Sequence, residues 1–528
     1  MSTFDSESLP SGWKTATLSE IAEINPRLQR SSIEDSAEVN FVPMRAVEPE
    51  GGGLTKPEVR TYGEAKKGFT SFLSNDVIMA KITPCMENGK TTVVPNLPYE
   101  LCFGSTEFHV VRNEQGIYPK WIANFLLQHD VRRAAQRRMT GGVGQMRVPE
   151  TFLVDLEIPV APVNEQLRIA DALDELLSDL DAGVEALRRA QIKLTHYRAS
   201  VLKAAVQGDL TSDWRKEHSS TEPASVLLQR ILKERRHRWE QEQLRKFSAH
   251  GKIPPTNWKG KYKEPVVPDT PNLPALPEGW SWASAEQLCD FITKGTTPSG
   301  VDAPAPQGQI PFIKVQHLSG DNDFLFNLSP SYVSSEINDG FLARSKVFPG
   351  DVLMNIVGPP LGQVSIVPVD FPVWNINQAI AIFRSVSGIE NRYLALCLST
   401  HSILVRALKR AKATAGQVNL TLEICRELPI PVPPVDEQAA ILETVDEQLS
   451  SIKHLAGELT VKCGTSKALR QSIFRHAFSG ELVQQDPKDE PASELLKRIA
   501  AARKAHTNAI RKTDSRKPAT GRKKKQTQ

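Results

Sequence analysis

The sequence lacks the features that would mark a secreted, membrane-spanning or metal-binding protein. Its 528 residues include 6 cysteines, and no two of them form a Cys-x-x-Cys pair. This pattern is typical of reduced structural thiols and argues against a disulfide framework or a zinc site. No apolar run approaches the about 18 residues that a membrane helix needs, and residues 1–7 lack the basic and apolar regions of a signal peptide. We therefore expect a cytoplasmic protein with no membrane partner.

Catalytic motifs are also missing. Asn88-Gly-Lys-Thr91 resembles the end of a phosphate-binding loop, but the first glycine of that motif would fall at Pro84, which has no N–H and a fixed φ. The sequence has no Asn/Asp-Pro-Pro-Tyr/Phe run, which an amino-methyltransferase would carry, and no G-x-S-x-G or H-E-x-x-H motif. We predict no catalytic residue, no metal site and no cofactor in this chain, and we interpret it as a binding protein rather than an enzyme.

The charge is small in total but uneven along the chain. Lys and Arg number 65 and Asp and Glu 61, which gives a formal net charge of +4. From Lys497 to Gln528 there are 12 Lys and Arg against one acid, so residues 1–496 are net acidic. A basic tail can visit phosphates, and it is equally explained as a solubilising terminus.

The chain repeats itself. Leu9-Pro-Ser-Gly-Trp13 returns 267 residues later as Leu276-Pro-Glu-Gly-Trp280. Residues 158–166, Ile-Pro-Val-Ala-Pro-Val-Asn-Glu-Gln, return 272 residues later as Ile-Pro-Val-Pro-Pro-Val-Asp-Glu-Gln. Solenoid repeats run about 20 to 50 residues, so this period is far too long for one. The sequence therefore predicts a duplicated two-part unit.

Each copy reads as an α+β globule followed by a long helix. Short apolar runs such as Asp76-Val-Ile-Met79 lie between Gly, Pro, Asn and Asp, which is typical of strands and turns. After Pro162 apolar residues recur every three or four positions, which predicts a helix over Glu165–Val206. A helix this long must pack along something. We expect a coiled-coil-like antiparallel pair with its duplicate, which would relate the two globules by an approximate two-fold axis.

The predicted segments follow from these patterns. They are a first globule at 1–163, a helical spacer at 164–250, a Pro-rich connector at 251–276, a second globule at 277–434, a second helical spacer at 435–500, and a basic tail at 501–528 that we expect to be disordered.

A cationic window closes each globule. Residues 129–147 and 401–419 each carry a net charge of +4, and in both a pair of cations precedes a loop of small residues. Cations on a helix can reach phosphates, a glycine loop can approach a groove, and Arg, Asn and Gln can pair with base edges. A charge run is often only a solvated helix face, but recurrence at the same offset in both copies favours DNA binding. The candidate DNA-binding residues are Arg132, Arg133, Arg137, Arg138, Gln145 and Arg147 in the first copy and Arg406, Lys409, Arg410, Lys412, Gln417 and Asn419 in the second.

The first halves of the two long helices carry the opposite charge. Residues 164–188 have seven acids against two Arg, and residues 436–458 have six acids against one Lys. Such a surface repels phosphates, so these halves should not track DNA. They are either solvated or, through their apolar stripe, docking surfaces for another protein.

The chain resembles the specificity subunit of type I restriction-modification enzymes. The resemblance rests on Leu-Pro-x-Gly-Trp at the opening of each copy, on Ile-Pro-x-x-x-Pro-x-x-Glu-Gln before each long helix, and on the Gly-Asp-Leu at Gly208 and Gly-Glu-Leu at Gly480 that follow it. It covers nearly the whole chain.

This resemblance implies a division of labour. Each globule would be a target recognition domain that reads one half of a bipartite, asymmetric sequence in double-stranded DNA, and the helices would fix the unread gap. The helices would also dock two modification subunits, which bind S-adenosylmethionine and methylate adenine, and restriction subunits would join them. The main alternative is a stand-alone DNA-binding or scaffold protein with two DNA-binding domains, since the missing methyltransferase motif argues against a fused enzyme.

Overall fold

The computed structural model describes residues 9–27, 33–142, 144–319, 324–414 and 417–514, with side chains described at these positions except 412–414, 417 and 507–514. The chain divides into two compact units. Unit 1 contains residues 1–188 and 460–528, and unit 2 contains residues 189–459. Each unit therefore combines one globule with the beginning of one long helix and the end of the other.

The first globule is α+β. Its strands are β1 Lys14–Thr17, β2 Ala22–Ile24, β3 Glu38–Val42, β4 Glu58–Thr61, β5 Thr70–Leu73, β6 Val77–Ala80, β7 Thr91–Val93, β8 Leu101–Gly104, β9 Phe108–Asn113 and β10 Glu157–Val160. Its helices are α1 Leu18–Ile21, α2 Tyr62–Ala65, α3 Pro119–Leu126, α4 His129–Arg138 and α5 Glu150–Val154.

Three helices follow before the second globule. They are α6 Val163–Gln207, α7 Ser212–Glu217 and α8 Ala224–Ala249. The strands of the second globule are β11 Ser281–Ser284, β12 Cys289–Lys294, β13 Ile310–Ile313, β14 Tyr332–Val333, β15 Lys346–Val347, β16 Val352–Asn355, β17 Val364–Ile366, β18 Trp374–Ile376, β19 Ile380–Ser385, β20 Lys412–Thr414, β21 Gln417–Asn419 and β22 Pro429–Val432. Its helices, and those that follow, are α9 Ala285–Leu288, α10 Ser335–Asp339, α11 Asn391–Ser399, α12 His401–Arg410, α13 Leu422–Arg426, α14 Val435–Ser479 and α15 Ala492–Asp514.

The two globules share one sheet topology, which confirms the α+β class and the internal repeat. The first has a four-stranded sheet in the order β4-β3-β8-β5, another in the order β2-β9-β6-β7, and a pair β1-β10. The second has β14-β13-β18-β15, β12-β19-β16-β17 and β11-β22 in the corresponding places. Even the parallel pairing recurs, since β3 runs parallel to β8 and β13 runs parallel to β18.

Equivalent side chains hold equivalent strands. Asp76 accepts two hydrogen bonds from Arg112, at 2.8 and 2.7 Å, and the Asp351 carboxylate accepts two from Arg384 at the same distances. Each aspartate is nearly buried and also caps the backbone of the preceding turn. A buried carboxylate of this kind requires paired donors, which accounts for the recurrence of the Asp–Arg pair.

The repeated sequence motifs meet in the fold. The indole Nε1 of Trp13 donates to Glu165 Oε2 at 3.0 Å, and that of Trp280 donates to Glu437 Oε2 at 2.9 Å. The Trp of each Leu-Pro-x-Gly-Trp motif thus fixes the Glu-Gln that opens the following long helix. The neighbouring Gln166 receives the backbone N–H of Tyr118 at 3.1 Å, which ties the helix start to the globule.

The two long helices are unbroken and 45 residues each. In unit 1, Ile169 and Leu173 share a buried cluster with Phe474 and Phe478. In unit 2, Ala205 and Val206 share one with Ile441 and Val445. Further contacts fix the direction: Asp181 on α6 forms an ion pair with Arg470 on α14 in unit 1, and Tyr197 donates to Gln448 at 2.8 Å in unit 2. In each unit, residues further along α6 therefore contact residues earlier on α14, so the pairing is antiparallel, as the apolar stripe predicts.

The Pro-rich connector packs along α8. Trp258 stacks with Trp239 at a ring-centroid distance of 5.9 Å, and Tyr262 lies 5.3 Å from the same indole. Most of the connector has no regular secondary structure, apart from a 3-10 turn at Trp258–Lys261. Aromatic contacts of this kind anchor an otherwise irregular segment.

Other expectations concern cysteines and membranes. The six cysteines are free, and burial raises the pKa of the Cys102 thiol to about 11 and of Cys425 to about 12. No helix among the described residues is long and apolar enough to cross a bilayer. Within the same residues, no group of three or more His, Cys, Asp or Glu is arranged to hold a metal ion.

Candidate nucleic-acid interface

Helix α4 places most of the cations of the first window on its outer face. Val131 and Ala135 are buried under the helix, whereas Arg133, Arg137 and Arg138 are exposed. Among the described residues, these three arginines make no hydrogen bond or ion pair that would hold them to the protein surface. They stand at positions from which guanidinium groups can reach phosphates.

Arg132 has a different environment. It is 7% exposed, and its NH1 and NH2 donate to the two carboxylate oxygens of Glu50 at 3.1 and 3.0 Å. NH1 also donates to the carbonyl oxygen of Glu87 at 2.8 Å. The side chain is therefore bonded within the protein and nearly buried, which leaves little of it to contact DNA.

Replacing Arg132 and Arg133 one at a time separates these two roles. Arg132→Ala should lower the free energy of unfolding by about 1–3 kcal/mol, because it leaves polar partners without their charged donor. Arg133→Ala should change it by less than about 0.5 kcal/mol and weaken DNA binding. Urea unfolding and DNA titration of the two variants check this, and equal loss of stability in both would contradict it.

The small-residue loop after α4 is a β-hairpin. Thr140 and Arg147 exchange both backbone hydrogen bonds, at 2.9 and 2.8 Å. The second arm then pairs with the end of β6, since Val148 N donates to Lys81 O at 2.9 Å and Thr83 N donates to Met146 O at 3.0 Å. Gln145 is exposed near the tip, and Val143 lies outside the described residues. This hairpin, which we call hairpin 1 (residues 140–147), is thus paired with the chain that leaves β6.

The side chain of Arg147 is partly exposed, and a carboxylate orients its guanidinium group. Its Nε and NH2 each donate to Glu107 at 2.8 Å, and 41% of its side chain is exposed. These hydrogen bonds raise the pKa of Arg147 and lower the pKa of Glu107. Its NH1 also donates to the carbonyl oxygen of Gln145 at 3.1 Å. The protein therefore orients all three guanidinium nitrogens of Arg147 while part of the side chain stays exposed.

The base of hairpin 1 is fixed by residues that the sequence does not single out. His109 Nε2 donates to the carbonyl oxygen of Val148 at 2.8 Å, and its Nδ1 accepts from Asn25 Nδ2 at 3.2 Å. Burial lowers the pKa of His109, which favours this neutral form. Asn25 also donates to Glu150 Oε2 at 2.9 Å. Glu107, His109 and Asn25 are distant from the hairpin in sequence, so no local pattern could reveal their role.

The second cationic window also lies on a helix, but its cations have different hydrogen-bond and ion-pair partners. On α12, Ile403 and Ala407 are buried and Lys409 is exposed. Arg406 is half-buried and donates to the carbonyl oxygen of Asn272 at 3.1 Å, while Arg410 forms an ion pair with Glu427. Among the described cations of α12, Lys409 is therefore the one best placed for a phosphate.

The loop after α12 is also a hairpin, in the same register as hairpin 1. Lys412 pairs with Asn419 and Thr414 with Gln417. The second arm pairs with the end of β16, since Leu420 N donates to Ile356 O at 2.9 Å and Gly358 N donates to Val418 O at 3.2 Å. We call residues 412–419 hairpin 2. Its tip, residues 415 and 416, and the side chains of Lys412 and Gln417 lie outside the described part of the chain.

Asn419 occupies the position that Arg147 has in hairpin 1. It is half-buried, and its Oδ1 has no hydrogen-bond partner among the described residues. The predicted residues of each copy thus lie on one helix and the hairpin that follows it. Four of them form hydrogen bonds or ion pairs within the protein: Arg132, Arg147, Arg406 and Arg410. The segment 501–528, for which the sequence predicts disorder, is helical in α15 as far as Asp514, and residues 515–528 lie outside the described part of the chain.

Two domains of one topology, each ending in a cationic helix and an equivalent hairpin, define a duplicated binding protein. The chain belongs to the family described as the type I restriction modification DNA specificity domain, whose model matches residues 10–191 and 277–460. This confirms the family resemblance drawn from the repeated motifs.

Known relatives agree with this assignment. The chain is 28% identical over 493 residues to the specificity subunit of the type I restriction enzyme EcoEI of Escherichia coli, covering 83% of this chain and 78% of that one. It is 26% identical over 502 residues to the EcoAI specificity subunit of the same species, covering 85% and 79%. A solved chain from work on complex assembly and conformational transition of the type I R-M system shares the fold, with a TM-score of 0.60 at 19% identity over 90% of this chain and 99% of that one.

Proposed function

We propose that this chain is the DNA-specificity subunit of a type I restriction-modification enzyme, in which each α+β domain reads one half of a bipartite target. The observation that carries the proposal is the recurrence of one cationic helix and one hairpin, in the same register, in two domains that both match the family model. Because the exposed side chains of the two devices differ, the two half-sites would differ as well.

The reading mechanism follows from the two parts of each device. Exposed cations on α4 and α12 would contact phosphates, which sets position and affinity but carries no sequence information. The hairpins would approach the base edges with Gln145, Arg147, Gln417 and Asn419, which can pair with guanine or adenine in the major groove. The chain would contribute no catalytic group and no cofactor, and S-adenosylmethionine would bind to a modification subunit.

The long helices would dock the modification subunits and hold the two reading domains at a fixed spacing. Each helix has 45 residues, which corresponds to about 68 Å at 1.5 Å per residue. Large apolar side chains remain exposed on it, including Ile192 at 59% and Val461 at 69%. Exposed apolar side chains on a rigid helix suit a protein partner.

Co-purification tests this proposal. We expect the chain to bring down two modification subunits, with restriction subunits joining that complex, and Ile192→Glu or Val461→Glu to reduce capture at least tenfold. Val301→Glu and Val369→Glu are matched controls, since these valines are 101% and 86% exposed in the second globule and should leave capture unchanged.

Methylome sequencing of the host with and without the chain reports the target itself. A bipartite adenine-methylation motif that disappears with the chain is expected. A chain that stays monodisperse, ignores the modification subunit and leaves methylation unchanged would instead indicate a stand-alone DNA-binding or scaffold protein. The proposed setting is the cytoplasm, where DNA and these subunits meet.

A further inference from the structure

A cavity of about 980 Å³ lies in unit 1 beside the start of α6. Its lining includes Trp13, Glu165 and Asp489. Glu165 is 1% exposed, and although its Oε2 accepts from Trp13, its Oε1 has no hydrogen-bond partner among the described residues. A buried carboxylate oxygen without a donor is costly, so a donor that reached this oxygen would stabilise the folded unit.

The charges around the cavity favour a cation. Asp489 faces it with a side chain that is 6% exposed, but its oxygens already accept from Arg168 at 2.8 Å and Asn164 at 3.1 Å. Asp486 adds a second, exposed carboxylate. Among the described lining residues, Lys14 is the one cation, and its side chain is exposed. The described part of the lining is therefore net negative.

Unit 2 shows which group satisfies the equivalent oxygen. Glu437 lies where Glu165 lies in unit 1, and its Oε2 accepts from Trp280. Its Oε1, however, accepts from Thr211 Oγ1 at 2.7 Å and from NH1 of Arg215. The Arg215 guanidinium lies 5.8 Å from the centre of the Trp280 ring, and its NH2 donates to Gly208 O at 2.7 Å.

The difference between the units comes from the chain length after each long helix. Ala224 follows Gly208 by 16 positions, whereas Ala492 follows Gly480 by 12. The longer segment of unit 2 contains α7, which carries Arg215. In unit 1 the corresponding segment has no helix and places Val483 opposite Thr211 in the repeat. Unit 1 therefore lacks the turn that supplies the guanidinium.

We propose that the unit 1 cavity binds a guanidinium group, an arginine side chain from outside the described part of unit 1. It donates to Glu165 Oε1 as Arg215 donates to Glu437 Oε1, and it lies near Trp13 as Arg215 lies near Trp280. A planar guanidinium suits this place because it can hydrogen-bond a carboxylate and contact an indole face together. An arginine of a partner protein and the chain's own Arg516 or Arg522 carry the same group.

Guanidinium ion itself is the probe. Hydrogen exchange of the backbone around Trp13 is measured in the full chain against guanidinium chloride at millimolar concentration, with potassium chloride at equal ionic strength as control. At about ten times its dissociation constant, the ion should slow exchange about tenfold. Glu165→Gln, which keeps an acceptor for Trp13, should abolish the effect. Arg215→Ala should create the same response around Trp280.

Two further arms identify the source of the arginine. A response that appears only in a chain ending at Asp514 supports the site and assigns its occupant to residues 515–528. A response of the chain alone that disappears in the complex with the modification subunit supports the site and assigns its occupant to the partner. The proposal is overturned if no arm responds to guanidinium beyond potassium, or if Glu165→Gln responds as the wild type does.

Discussion

Replacing Arg137 and Arg138 together by alanine is expected to weaken DNA binding about 60-fold near 0.1 M salt. Each phosphate contact releases about 0.9 counterion on B-DNA, so loss of two contacts should also lower the slope of log K against log salt by about two. Both guanidiniums are exposed at the end of α4, where nothing described in the protein engages them. A random duplex suffices for the titration, because phosphate contacts do not depend on sequence.

The chain supplies a matched control for this measurement. Arg188 and Arg189 form another exposed arginine pair, on α6 rather than in a cationic window, and Arg188 is in an exposed ion pair with Glu185. Their replacement by alanine changes the net charge by the same amount but should leave the salt slope unchanged. Equal slopes in the wild type and the Arg137/Arg138 variant would show that α4 is a solvated face, and equal losses in both variants would show a general effect of net charge.

Much of the fold is predictable because the sequence contains the same pattern in two copies. Apolar runs next to Asp76 and Asp351 became the central strands β6 and β16, and the apolar stripe after Pro162 became one unbroken helix. The repeat also predicts that the cationic windows are equivalent, and their helices and hairpins are. These features follow from local patterns that the structure then repeats.

What could not be predicted depends on contacts that are distant in sequence. In the sequence, Arg132 and Arg133 are equivalent cations. In the fold, however, Arg132 is bonded to Glu50, which lies 82 residues away along the chain. Similarly, Glu107 orients Arg147 from 40 residues away. The compact units also divide within the long helices, since each globule packs with the start of one helix and the end of the other. Side-chain partners of this kind are set by tertiary packing and leave no periodic signal.

The buried glutamates that open the two long helices should respond in opposite ways to the same substitution. Glu437→Gln removes the charge opposite Arg215, whose side chain is 19% exposed, and leaves a guanidinium without its partner. Breaking a buried ion pair from one side costs about 3 kcal/mol or more. We therefore expect unit 2 to lose about 3 kcal/mol of stability, seen as faster hydrogen exchange around Trp280.

Glu165→Gln removes a carboxylate that has no cationic partner of this kind, so unit 1 should lose no stability. Burial raises the pKa of Glu165, against the lowering effects of the Trp13 hydrogen bond and nearby Arg168. A carboxyl group whose pKa is higher in the folded state costs stability as the pH rises from its ordinary range through the raised value. The glutamine variant should therefore exchange more slowly than the wild type around Trp13 at ~pH 8, and equally at ~pH 4.

The comparison of the two variants in one chain separates an intrinsic property of the Trp–Glu pair from the effect of Arg215. If both substitutions destabilise their units equally, the carboxylate matters through its bond to the indole alone, and the arginine is incidental. If only Glu437→Gln destabilises, the charge of that glutamate is needed because a guanidinium is present. Unit 1 then has the same carboxylate without a guanidinium beside it. A guanidinium that entered the unit 1 cavity would gain the interaction that Arg215 makes with Glu437, and this gain in free energy would favour binding.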